Sequence, residues 1–291
     1  MLYIQKSLKG RVSKMKKRLV VAMSILTLLL GACGDEKKSE EKEKVEETTI
    51  DTTIDTTQAA TDYKTAILVD LTAFVEDVKL LQTHINEGKL EDASELYPLL
   101  HMSFEKFKPL QNQFPDQFTR IDGQTEDGKE LEGSGLHAIE YGLFVQKDVL
   151  GLSTIATNLA EAAMELANDV AKAELNGEKL LTSTENMLEF VVSDKLTGKE
   201  KNIANTQVYD VKGNVDAVTQ VMQAFQHHAS TAELKALETT LNKVNDEIAF
   251  YEVGKEDYVN FTYFTNKQKE QLTEQMNLLV EDFATFKKAI K

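Results

Sequence analysis

The residues best suited to chemistry fall in one twelve-residue segment, Gly133-Ser134-Gly135-Leu136-His137-Ala138-Ile139-Glu140-Tyr141-Gly142-Leu143-Phe144. Ser134 suits the N-cap of a helix, which places His137 in the first turn. On a wheel at about 100° per residue, Leu136, Ile139, Leu143 and Phe144 form one apolar face. Glu140 falls inside that face and His137 on its edge. A carboxylate turned into an apolar core is costly unless a cation or strong donors meet it. The helix N-terminus favours Glu as the anion and His as the neutral, ligand-competent form by ~0.3–1 kcal/mol. One metal ion would satisfy both side chains, and bundle-interior sites with Glu and His three residues apart occur in di-iron carboxylate proteins. A Lys or backbone donor on Glu140, beside a structural His, satisfies the pattern equally well. His-x-x-Glu is short, and by itself it leaves both readings open.

Other candidates carry less. His227 and His228 stand near a helix end, where solvated histidines are common. His101 and Glu105, four apart, suit an ordinary surface pair. His84, beside Asn86 and Gly88, suits a helix end. No Ser/His/Asp nucleophile motif and no phosphate-binding Gly loop is present. A zinc peptidase would need more than His137 and Glu140. No His-Glu-x-x-His occurs, and a third ligand and an open water position would be required.

The elements that must position these residues are helical. Leu68, Leu71, Val75, Val78 and Leu81 or Ile85 repeat at spacings of three and four, as one helix face requires. Leu96, Leu99, Leu100, Phe104, Phe107 and Leu110 do so in a second segment. Similar stripes run through about 150–176, 180–193, 206–226, 231–252 and 266–289. A wheel drawn over residues 96–110 puts Glu105 opposite the Leu96/Phe107/Leu110 stripe, facing outward. The three prolines are Pro98, Pro109 and Pro115; tryptophan is absent, and no alternating run carries hairpin signals. The expectation is an all-α fold of seven or eight antiparallel helices packed as bundles. Its longest irregular stretches fall at about 115–134 and 253–264, and loops of that length are often functional.

The N-terminus reads as a lipoprotein signal peptide over residues 1–32. Lys6, Lys9, Arg11, Lys14, Lys16, Lys17 and Arg18 precede an apolar run from Leu19 to Leu30, then Leu30-Gly31-Ala32-Cys33. The run is short of the about 20 residues that a membrane span needs. Met15 begins a complete basic region of its own. Cys33, the single cysteine, is the expected lipidation site, and its acyl chains would give stable anchoring at ~0.8 kcal/mol per buried methylene. With Cys33 so used, neither a disulfide nor a thiolate metal site is open to the chain. Residues 33–60 read as an acidic and Thr-rich linker, expected to stay disordered because it holds no aromatic residue and little apolar surface. Residues 61–291 are the expected helical domain. Removing residues 1–32 takes seven of the 33 basic residues and none of the 48 acidic ones, leaving a net charge of −22. That balance argues against nucleic acid and anionic membrane surfaces, and favours cations.

Taken together, the chain resembles the imelysin-like family, in particular its EfeO/EfeM iron-uptake lipoproteins. The resemblance spans about residues 62–290 and rests on ordered landmarks. These are Phe104-Glu105-x-x-x-Pro109, Ile121-Asp122, Gly135-Leu136-His137-Ala138-Ile139-Glu140, Lys195-Leu196-Thr197-Gly198-Lys199-Glu200, Asn214-Val215-Asp216-Ala217 and Phe261-x-Tyr263-Phe264-Thr265. It implies two four-helix bundles and a metal-handling role outside the cytoplasm. Ferrous or ferric iron, or another divalent metal, would be the cargo, and a membrane iron permease and a secreted haem peroxidase the partners. The resemblance also implies His137 and Glu140 as metal ligands, with Glu105 and Asp122 as additional acidic positions. Ser103 and Lys108 stand where many relatives have His and Glu, and Gln207 stands near a position often Asp. Lys108 would bring a positive charge close to the site and weaken divalent-metal binding. Many EfeO proteins carry an N-terminal cupredoxin domain; the linker stands in that place here, so a copper site is not expected. The leading expectation is a surface-tethered binding protein on the outer face of the cell membrane, not an enzyme. A metallopeptidase using His137 and Glu140, and a structural lipoprotein without metal, are the alternatives.

Overall fold

The computed structural model describes residues 56–123 and 133–290. The signal peptide, Cys33 and most of the expected linker lie outside these residues. Within them the helices are α1 Thr57–Asn86, α2 Leu90–Glu105, α3 Pro115–Asp122, α4 Gly135–Tyr141, α5 Ser153–Lys172, α6 Gly177–Phe190, α7 Gln207–Phe225, α8 Thr231–Phe250 and α9 Asn266–Ala289. The fold is all-α. None of these helices is long and apolar enough to cross a membrane.

Two groups of helices pack around α7. In one, α1 packs on α5, α2 and α7, while α3 and α4 pack on α5. In the other, α9 packs on α8 and α6, and both α6 and α8 reach α7. A helix shared in this way must be apolar nearly all round. Accordingly α7 buries Val208, Val211, Val215, Val218, Val221 and Phe225, together with the polar Gln207, Asp210 and Asn214. Local chemistry fixes the ends of several helices. Asn176 caps α6 through Lys179 N–H, and a Thr265/Gln268 capping box opens α9.

Three departures from the sequence reading bear on the site. First, the stretch 115–134 is not wholly irregular, because α3 occupies Pro115–Asp122. Pro115 stands in its first turn, and Phe118 and Ile121, three apart, are buried. Eight residues are too few for a helical period to stand out. Second, the stretch 252–258 forms a short antiparallel hairpin, Glu252–Gly254 with Asp257–Tyr258, followed by a 3-10 turn at Phe261–Tyr263. Third, Glu105 does not face outward; it is 1% exposed. Helix α2 ends at Glu105, so Phe107 and Leu110 belong to the next turns and not to its wheel. The Glu105 side faces α7, where a Cβ on Gly213 would come within 2.2 Å of the Met102 carbonyl. Only glycine lets the two backbones approach so closely.

Candidate metal site

Helix α4 is set in place by a crossing of two backbones. Gly135 opens it at φ +64° with Ser134 at the N-cap position, although the Ser134 side chain makes no capping bond. A Cβ on Gly135 would lie 2.4 Å from the Ile121 carbonyl, and one on Gly123 (φ +85°) would lie 1.7 Å from the Ser134 carbonyl. The crossing therefore requires both glycines, and it lays the end of α3 against the start of α4. Asp122 and His137 become neighbours: His137 Nε2 is 3.8 Å from Asp122 Oδ1. One turn on, Glu140 is 2% exposed and its Oε2 lies 3.7 Å from His137 Nδ1. The His137 side chain remains 26% exposed, so this end of the cluster reaches solvent.

Glu140 is held from below. Its Oε1 accepts a 2.9 Å hydrogen bond from Ala204 N–H, in the segment that links α6 to α7. The 3-10 turn that follows the hairpin braces that segment. Asn260 Nδ2 donates to the Ala204 carbonyl at 3.3 Å, and Phe261 N–H donates to the Asn205 carbonyl at 3.1 Å.

Deeper in, the ionic groups are joined directly. Helix α6 continues as a π-helical turn, Val191–Lys195, which delivers the fully enclosed Lys195. Its Nζ lies 3.2 Å from Glu105 Oε1, 3.0 Å from Glu200 Oε2 and 3.5 Å from Asp210 Oδ2. Asn214 donates to Glu105 Oε2 at 2.8 Å, and Asn202 donates to Asp210 Oδ2 at 3.0 Å. His101 Nδ1 meets Asp210 Oδ1 at 2.6 Å. His101 is thus buried against α7, not part of a surface pair with Glu105.

Electrostatics follows from this geometry. Burial opposes charge on Glu105, but Lys195 and then Lys108 and His101 outweigh it and hold the carboxyl at about 2. Burial likewise opposes a charged His101, yet Asp210 pushes it up to about 9. Burial also raises Glu200, with Lys195 acting against that rise. Between the deep and outer groups stands Lys108, at 2.7 Å from Asp122 Oδ2 and 3.8 Å from Glu105 Oε1. Burial acts upward on Asp122, but Lys108 and His137 together outweigh it and leave the carboxyl below its ordinary value.

The four residues singled out in the sequence are therefore not equivalent. His137 adjoins both Asp122 and Glu140, through different ring nitrogens. Glu105 joins them only through Lys108, and its oxygens are engaged by Lys195 and Asn214. Among the described residues, no three His, Cys, Asp or Glu side chains converge closely enough to hold a metal ion as they stand. The reason is visible at His137, whose two ring nitrogens face different carboxylates. One ion cannot take both carboxylates and the imidazole without rotation of the ring. The donor types, one imidazole nitrogen with carboxylate oxygens, suit iron or manganese.

The imelysin family model, Peptidase M75, matches residues 48–286. The chain belongs to the imelysin family. Its relatives include the iron uptake system component EfeM of Pseudomonas syringae, 23% identical over 78% of this chain and 82% of that protein. The iron uptake system component EfeO of Escherichia coli K12 is 23% identical over 78% of this chain, which spans 62% of that protein's length. An EfeM/EfeO family lipoprotein of Staphylococcus haemolyticus is 25% identical over 91% of this chain and 96% of the relative. These relatives carry the names of iron-uptake components and a lipoprotein, whereas the family model carries a peptidase name.

In this imelysin-family chain, the wheel reading missed the deep residues Lys195, Asp210 and Asn214. A signal for each existed. Lys195 follows Leu188 by seven and Val191 by four, so it lies on the apolar stripe of α6. Gln207, Asp210 and Asn214 recur at three and four, a polar stripe on a helix otherwise rich in valine. A polar residue at a core position demands a buried partner.

Proposed function

We propose that this protein captures iron, ferrous or ferric, at the outer end of the network and passes it to a membrane permease. The observation that carries this reading is the adjacency of Asp122, His137 and Glu140 at the solvent-reaching end of a buried ionic cluster, in a chain whose relatives bear iron-uptake names. Glu140 is fixed by a backbone donor, and taking up a shared ion requires the His137 ring and the Asp122 side chain to turn toward it. Residues 1–32 serve as the signal peptide, Cys33 carries the lipid, and residues 33–60 tether the 61–291 domain to the outer face of the cell membrane. A secreted haem peroxidase is the expected oxidising partner. The role is binding rather than catalysis, since hydrolysis needs a metal with an open position and a separate base beside it.

Calorimetric titration with ferrous iron under anoxia, and with chelated ferric iron, tests this reading. His137→Ala combined with Glu140→Gln is expected to abolish binding and the iron-induced rise in melting temperature, while helical content persists. Unchanged iron binding in that variant removes these ligands. Peptide cleavage lost in Glu140→Gln, with no thermal response to iron, favours the metallopeptidase instead.

A further inference from the structure

Lys108 is the group that links the two ends of the network. Its ammonium lies 2.7 Å from Asp122 Oδ2 and 3.8 Å from Glu105 Oε1, and 4.6 Å from the centroid of the Phe104 ring. The side chain is mostly buried, so its charge is weakly screened. Asp122 Oδ1, on the same carboxylate, faces His137 at 3.8 Å. Any cation taken up between His137 and Asp122 therefore shares that carboxylate with an ammonium already bound to it, and the two positive charges repel.

We propose that Lys108 is a built-in competitor for the cargo cation, displaced from Asp122 toward Glu105 when the ion binds and returning when it leaves. The inference rests on the reading of Asp122, His137 and Glu140 as the capture site. Stranding a buried cation would make such a displacement prohibitive. Here Glu105 is already in reach and ionised against Lys195, and the Phe104 ring offers its face to the ammonium. The flexible stem of lysine allows a small swing between the two carboxylates. Lys108 thus lowers affinity and speeds release, and it covers Asp122 again when a partner withdraws the ion. Such a device suits a protein that hands its cargo on.

The test uses the detergent-solubilised full chain and manganous chloride, an air-stable probe. Affinity is read by calorimetry and release by stopped-flow transfer to a chelator. Lys108→Met and Lys108→Gln are each expected to bind Mn²⁺ about tenfold tighter and release it correspondingly more slowly. Lys108→Arg, which keeps the competing charge, should stay near the parent value even if a neutral variant folds poorly. Tighter binding in Lys108→Arg would therefore also count against competition. Equal or weaker affinity in the neutral variants, with parental binding intact, overturns the role of Lys108 and leaves the capture site standing. Failure of parent and variants alike to bind Mn²⁺, ferrous or ferric iron overturns both.

Discussion

The two ends of the ionic network use the same side-chain types to different effect. At the deep end, three carboxylates converge on the Lys195 ammonium. Asparagines and His101 complete their hydrogen bonding. At the outer end, His137 stands 3.8 Å from Asp122 and 3.7 Å from Glu140, beyond hydrogen-bond reach, and it touches solvent. A cation supplied by the chain closes the first set; the second is the one we propose accepts a cation from outside. An acidic residue boxed in by several protein groups, as Glu105 is by Lys195 and Asn214, is therefore a poorer ligand candidate than one with a single cation near solvent, as Asp122 has in Lys108.

The contrast can be broken most severely at Lys195. Lys195→Met leaves Glu105, Glu200 and Asp210 facing one another without their shared cation, and is expected to destabilise the fold by about 3–5 kcal/mol. Urea denaturation followed by circular dichroism measures this. A loss below about 1 kcal/mol would mean that the deep carboxylates do not depend on Lys195.

A pH series sharpens the same contrast with a somewhat smaller effect. Glu105 is held at about 2 in the folded chain, below its ordinary 4.5. Its contribution to stability is present above about 4.5 and is lost as pH falls toward 2, on the order of 3 kcal/mol in all. His101 runs the other way. Raised from 6.5 to about 9, it contributes fully below about 6.5 and loses that contribution as pH climbs through 9. Glu105→Gln should flatten the acid limb of the stability profile and His101→Gln the alkaline limb. Unchanged limbs in these variants would place the titrations elsewhere.

The smallest effect is expected at the surface. Arg120 pairs with Glu165 between α3 and α5, both side chains being about half exposed. Arg120→Ala should cost under about 1 kcal/mol, and 0.5 M salt should erase the difference. A larger, salt-insensitive loss would show that the α3 end, and with it Asp122, relies on this pair.

Much of the helical architecture was legible in the spacing of apolar residues. The stripes expected at about 150–176, 206–226 and 266–289 correspond to α5, α7 and α9. The interior position of Glu140 followed from the same period, because Leu136 and Ile139 share its face. Glu105 was misplaced because the wheel was carried past the end of α2, through residues that belong to other turns. Helix α3 was missed because eight residues barely exceed two turns, and the hairpin because its strands are two and three residues long.

By itself, the sequence determined the all-helical class, the periodic faces and the inward turn of Glu140. It also determined the acidic balance and the basic, apolar and cysteine-bearing N-terminal pattern. These are local or compositional properties, readable within a few turns of chain. Only the tertiary structure decided which carboxylates are matched. Glu105 meets Asn214 across 109 residues and His101 meets Asp210 across another 109, while Glu140 meets Ala204 across 64. Helical periodicity tells which way a side chain points from its own axis. Whether it meets an ammonium, an amide or an open edge depends on the neighbouring helix, and packing alone brings that helix there.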